Sequence, residues 1–240
     1  MQLDVAPTAE EAARRAALYV ADGLREAIAQ RGRASVALSG GASPRMMFAE
    51  LAQLTLDWSA VQIFQVDERV APLGDPQRNL NSVETLLVTR GPVARAHLHA
   101  MAVENADLAA AAGNYEDELR VHAGFSVTLD VVHLGLGADG HTASLFPGDA
   151  GLRVHDRAVT VTAEHSGYRR LSLTLPALDR ARRIVWLATG AAKAAVVGRL
   201  IEGSWSAPAG QVARDRAIVV TDKAAAGVAA AVDFTPPRLP

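Results

Sequence analysis

The chain has 240 residues, half of them hydrophobic and only 5% aromatic, so it can bury a sizeable core built from Ala, Val, Leu and Ile without staples. Its 24 basic and 26 acidic residues leave a formal net charge of −2 and no basic run, which argues against a nucleic-acid or anionic-membrane partner. The absence of cysteine excludes disulfides and thiolate metal sites, and no apolar stretch reaches the roughly 20 residues that span a bilayer.

The opening residues are acidic where a secretory leader is basic and then apolar, so the expected location is the cytoplasm. Thr8 followed by Glu11 is a capping box, and the Ala-rich run behind it predicts a helix to about Gln30. Ala34–Leu38 reads as a strand. Ser43, as N-cap, and Pro44, at the first helical position, then open a second helix. Val61–Val66 alternates like a strand and ends at Asp67-Glu68-Arg69 and a Pro/Gly loop. A helix is expected from Asn81 or Ser82, and another from Glu104 to Val121. Leu129–Leu134 is a strand running into a glycine-rich loop, Gly135–Gly148. Val159–Thr162, Leu171–Leu175 and Ile184–Ala188 read as strands, the last followed by Thr189-Gly190 and a helix to about Ile201. Ala217–Val220 is the final strand, with an Ala-rich helix behind it and a loose tail expected from about Phe234.

No repeat or linker divides the chain, so residues 1–240 are read as a single domain. The alternation of strands and helices predicts an α/β fold: an open, mostly parallel, doubly wound sheet with helices on both faces. Ligands of such sheets bind at the carboxyl ends of the strands. The polar, glycine-rich segments fall after Leu38, Val66, Leu134 and Ala188, so four strand ends point at one crevice.

Within these segments the residue types suit an anion and a proton transfer. Ser39-Gly40-Gly41 lets a backbone approach an anion at a helix N-terminus, with the Ser39 and Ser43 hydroxyls as further donors. Gly135-Leu136-Gly137-Ala138-Asp139-Gly140 matches a dinucleotide fingerprint literally. However, Phe146-Pro147-Gly148 follows too soon for the required helix, so no dinucleotide is expected. The loop instead carries His141, with Asp139 two positions earlier. An imidazole there can take and return one proton near neutral pH. Asp67 can orient a base or accept sugar hydroxyls, and Arg69 can hold a phosphate or the neighbouring carboxylates. Lys193 sits in the first turn of a helix, where the dipole disfavours a cation unless an anion is bound. No His pair stands at ligand spacing beside a carboxylate, so no metal is expected.

Together these segments resemble the 6-phosphogluconolactonase family. The matching stretches are SGGASP (Ser39–Pro44), DERVAP (Asp67–Pro72), GLGADGHTASLFPG (Gly135–Gly148), RRLSLTLPAL (Arg169–Leu178) and TGAAK (Thr189–Lys193), in the family's order. The resemblance implies a fold like that of glucosamine-6-phosphate deaminase. It implies hydrolysis of 6-phospho-D-glucono-1,5-lactone to 6-phospho-D-gluconate, the second step of the oxidative pentose phosphate pathway, with no cofactor. His141 would be the general base, and Asp67 or Asp139 would orient the imidazole or the water. Ser39, the Gly40–Gly41 amides, Arg170 and Lys193 would grip the phosphate. Asn79 is retained from the family pattern, but Arg78 departs from it and is expected to add a positive charge near the mouth. The implied partner is a small-molecule sugar phosphate lactone, bound by a monomer or small homo-oligomer. Two alternatives stand beside this reading: an amino-sugar-phosphate isomerase or deaminase, and a non-catalytic sugar-phosphate sensor on the same fold.

Overall fold

In the computed structural model, residues 1–227 are described. Runs of Val, Ile, Leu and Ala too apolar for one wet face become the strands of a sheet covered on both sides. In chain order these are β1 (Gln2–Ala6), β2 (Ala34–Leu38), β3 (Val61–Gln65), β5 (Leu98–His99), β6 (Val131–Leu134), β9 (Arg183–Ala188) and β10 (Ala217–Asp222). They pair in the order β1-β10-β9-β6-β2-β3-β5, all parallel. From β2 the chain winds one way to β3 and β5; from β6 it winds the other way to β9 and β10, beyond which the N-terminal β1 forms the edge. The β2/β6 boundary is therefore the switch point, where the loops beyond adjacent strands diverge and leave a crevice.

Thr8 caps helix α1 (Ala9–Arg31) as foreseen, its hydroxyl accepting from Glu11 N, but the Glu11 carboxylate accepts from Arg14 and Arg15 instead of reaching back; Gly32 closes the other end at φ +71°. Its buried face is mostly alanine, which brings it close to the sheet. The approach is tightest at Gly23, where a methyl group would lie 2.6 Å from Val131 Cγ2. Helix α2 (Ala42–Leu51) packs beside it, and Met47, Phe48, Val36 and Ile63 join the same core. The opposite face is filled by α4 (Leu108–Ala123) and α6 (Ala194–Glu202) around Phe64, Leu134, Tyr115 and Trp186. Among the described residues no helix is long and apolar enough to cross a membrane.

Several local expectations are corrected. Asp67–Arg69 does not merely end β3; it forms β4 in a second sheet, antiparallel to β8 (Tyr168–Leu173), which pairs with β7 (Val159–His165). The β7–β8 connection is a two-residue hairpin, Ser166-Gly167, with φ +53° and +81°. Leu175 opens a short helix, α5 (Leu175–Asp179), rather than ending β8. The N-cap of α2 is Gly41 at φ +129°, so Ser43 and Pro44 lie inside the first turn. α4 starts at Leu108, because the Asp107 side chain accepts from Ala110 N and fixes the cap there. The helix expected at Asn81 or Ser82 begins at Leu80 (α3, Leu80–Val83) and loosens into a π-helical stretch, Glu84–Thr89. β1 and β5 were not foreseen. The last helix, α7, is described over Lys223–Ala226; the expected tail lies outside the described residues.

Candidate active site

The loops beyond β2, β3, β6 and β9, with the small sheet as one wall, enclose a cleft of about 590 Å³. That is the size range of small-ligand sites. Every residue assigned to catalysis or substrate binding from the sequence lines it except Asp139, which stands behind His141.

His141 is held on three sides. Its Nδ1 lies 2.5 Å from Asp139 Oδ1, which also accepts from His141 N at 3.1 Å. Gly137 backs the ring so closely that a methyl group there would lie 2.1 Å from Nδ1. Phe146 packs with its centroid 4.4 Å from the imidazole. With Nδ1 committed to a carboxylate, Nε2 is the ring nitrogen left for the cleft. Burial pushes the Asp139 carboxyl up, but the backbone and ring hydrogen bonds of His141 outweigh it and hold it below its ordinary value. The geometry thus pairs His141 with Asp139, not with Asp67.

Asp67 is buried and its Oδ2 accepts from the Ser144 hydroxyl at 2.6 Å. Burial raises its pKa, and the hydrogen bond from Ser144 does not offset that. Ser144 is turned toward it by Ala143, a non-glycine residue at φ +51°, strain of a kind that clusters at functional sites.

The other polar groups fall into two walls. On the first, Ser39 Oγ is buried without a hydrogen-bond partner, while Ser39 N donates to His133 Nδ1 at 3.4 Å. Ser43 and Thr189 share a hydrogen bond of 2.6 Å between their hydroxyls, tying α2 to the loop after β9. Lys193, in the turn before α6, donates from Nζ to Leu136 O at 2.6 Å, placing its charge beside the loop after β6. Gly40 has no room for a side chain, since a methyl group would lie 2.0 Å from Asn79 Oδ1. On the second wall, Arg69 and Arg170 stand opposite each other in the β4–β8 register. Like charges so placed repel. Burial, and then the charge of Arg69, pull the Arg170 pKa below its ordinary value. An anion bound between them would relieve this. Among the described residues no three His, Asp or Glu side chains gather as a metal site.

The family model described as glucosamine-6-phosphate isomerases/6-phosphogluconolactonase matches residues 7–221. The chain belongs to this family. A 6-phosphogluconolactonase of Streptomyces coelicolor is 38% identical over 91% of this chain and 89% of its own length. That of Synechocystis sp. is 36% identical over 83% of this chain and 84% of its own. Among solved structures, the 6-phosphogluconolactonase from Trypanosoma cruzi superposes with a TM-score of 0.83, with 25% identity over 94% of this chain and 95% of that one.

Against the family pattern, Arg78 had been expected to bring charge to the mouth. It does not: its side chain is 1% exposed, with Nε 3.1 Å from Glu68 Oε2 and Nη1 2.6 Å from Glu104 Oε1. The site also contains residues that reading the sequence missed. Glu68 is a fully buried acceptor for Arg69 N, Asn79 N, Leu80 N and Gln65 Nε2. His165 stacks on Phe146 at 3.7 Å, and Arg170 lies 5.0 Å over the same ring. The available signal was the Ser-Gly pair at 166–167, which marks a two-residue hairpin and so places His165 opposite Tyr168.

Proposed function

We propose that this chain hydrolyses 6-phospho-D-glucono-1,5-lactone to 6-phospho-D-gluconate, with His141 as general base. The observation that carries the reading is the His141–Asp139 pair, a cleft-lining imidazole whose Nδ1–H is committed to an ionised carboxylate. Nε2 then takes a proton from water as the oxygen attacks C1. Negative charge gathers on the former carbonyl oxygen, where hydrogen-bond donors are worth most. The carbonyl reforms, the bond from C1 to the ring oxygen breaks, and Nε2–H returns the proton to that oxygen. Water is the only co-reactant, and the product gains a hydroxyl and a carboxylic acid, which releases its proton to solvent to become the carboxylate.

The phosphate end is read onto Ser39, the Gly40–Gly41 amides, Arg170 and Lys193. In support, Ser39 Oγ lacks a protein partner and the arginine pair repels itself. This grip supplies the orientation that makes one modest base sufficient. Lys193→Ala is therefore expected to raise KM for the phosphorylated lactone by about tenfold to a hundredfold, the worth of a charge-assisted contact. Turnover of unphosphorylated glucono-lactone should barely change. Equal loss on both substrates would place the phosphate elsewhere.

The reading is tested by a coupled assay with freshly made 6-phosphogluconolactone, corrected for spontaneous hydrolysis. Acceleration by the protein supports it. Release of ammonia from glucosamine 6-phosphate, without lactone turnover, would assign the chain to the other activity in the family description.

A further inference from the structure

The loop between α6 and β10 contributes no residue to the cleft wall, yet it meets the catalytic loop at one point. That point is Gly140, directly before His141. Gly140 has φ +85°, and a methyl group on it would lie 2.4 Å from Trp205 Cζ2, 2.7 Å from Trp205 Cη2 and 2.5 Å from Ala207 Cβ. The outer edge of the indole is thus seated on the Cα of the residue preceding the base. The backbone is pinned as well: Gly140 O accepts from Ala209 N at 3.0 Å, and Gly140 N donates to Gly137 O at 3.0 Å.

Trp205 is itself held firmly. Its carbonyl oxygen packs on Gly210, where a methyl group would lie only 2.0 Å away. Its indole packs against the core shared by α4 and α6. The ends of the loop are fixed too: Arg214 Nη2 donates to Ile201 O at 2.8 Å, and Ala213 N to Asp179 Oδ1 at 2.8 Å. Because Gly137 and Phe146 confine the imidazole laterally, the position of Gly140 decides how deep His141 stands relative to Asp139 and the cleft.

We infer that Trp205 is a positioning residue for the reaction, acting through Gly140 to hold His141 against Asp139 without touching substrate. This rests on His141 being the general base. The two remaining tryptophans, Trp58 and Trp186, are buried in the core, and Trp205 is the one whose ring edge is seated on Gly140.

The test is a double-mutant cycle on lactone turnover. Trp205→Ala is expected to lower kcat by about tenfold to a hundredfold, as misplacement of a base by an ångström does, with KM within a few-fold of wild type. In a His141→Ala background the same substitution should cost nothing further. Trp205→Phe keeps a ring in the core but withdraws the outer edge that meets Gly140. It should show the same split at smaller size in a protein whose thermal midpoint is near wild type. If His141→Ala is strongly impaired but still measurable, and Trp205→Ala and Trp205→Phe reduce the rate by the same factor in both backgrounds, Trp205 is merely structural. A rise in KM with kcat unchanged would also overturn the proposal. Near-normal turnover by His141→Ala would instead remove the base assignment, and the positioning role with it.

Discussion

Replacing His141 by alanine is expected to lower kcat for the phosphorylated lactone by about 10²–10⁴-fold, the usual contribution of a general acid–base group. Affinity for 6-phosphogluconate should stay within a few-fold, because the groups assigned to the phosphate lie on the loops after β2 and β9 and on β8. Turnover measured by the coupled assay and product binding measured by calorimetry separate the two effects. A variant that keeps kcat within a few-fold of wild type would remove His141 from the chemistry. Gly137→Ala should reach a similar endpoint by another route. Its methyl group would fall 2.1 Å from His141 Nδ1 and 2.7 Å from Asp139 Oδ1, driving the imidazole off its carboxylate while every reacting group is still present. A Gly137→Ala enzyme with normal kcat would show that the Nδ1–Asp139 contact is dispensable.

Removing the Glu68 carboxylate should have the largest effect on stability. Glu68→Ala would leave Arg69 N, Asn79 N and Leu80 N without their acceptor and would leave the Arg78 guanidinium, 1% exposed, with the half-exposed Glu104 as its remaining carboxylate and Ala71 O as a further acceptor. Breaking a buried ion pair by deleting one partner costs roughly 3–5 kcal/mol. For a chain of this size that is about 6–20 °C in thermal midpoint. Activity should fall with it, since Glu68 holds the backbone of Arg69 and Asn79, which both line the cleft. A loss under about 1 kcal/mol in denaturant unfolding would show that water or rearrangement satisfies those donors. Glu68→Gln, which keeps one acceptor oxygen, should fall between the two.

How far the amino-acid sequence foretold these features depended on whether the cause was local. The strands β2, β3, β6, β9 and β10 are apolar runs between turn residues, and their order alone predicted a parallel sheet with a crevice at the carboxyl ends. β4 escaped because Asp67-Glu68-Arg69 carries the composition of a solvated loop; only pairing with Arg170–Ser172, about a hundred residues away, makes it a strand. β1 escaped for a similar reason, since Gln2 and Asp4 keep it from reading as an apolar run like the other strands, and β10 supplies its ladder. At α2 the choice between Ser43 and Gly41 as cap turned on a backbone angle that composition does not encode. In the site, the convergence of His141, Asp67, Ser39 and Lys193 followed from topology. The Phe146–His165 stack needed the hairpin register, and the roles of Glu68 and Arg78 needed burial, which a charged triplet in a sequence does not announce.

The pairing of β1 with β10 bears on how the chain is made. Gln2 stands opposite Ile218 in the parallel ladder, and β1 has no other strand neighbour among the described residues. A chain emerging from the ribosome at about 5–20 residues per second therefore carries β1 for roughly 10–40 s before its partner exists. During that wait an open strand edge is a template for aggregation. Asp4 lies in the middle of β1 and is bridged to Arg15 of α1 at 2.7 Å, a contact that needs only the first helix. The charge in that strand, which hid it from pattern reading, is thus available to park the nascent edge against its own helix until translation delivers β10.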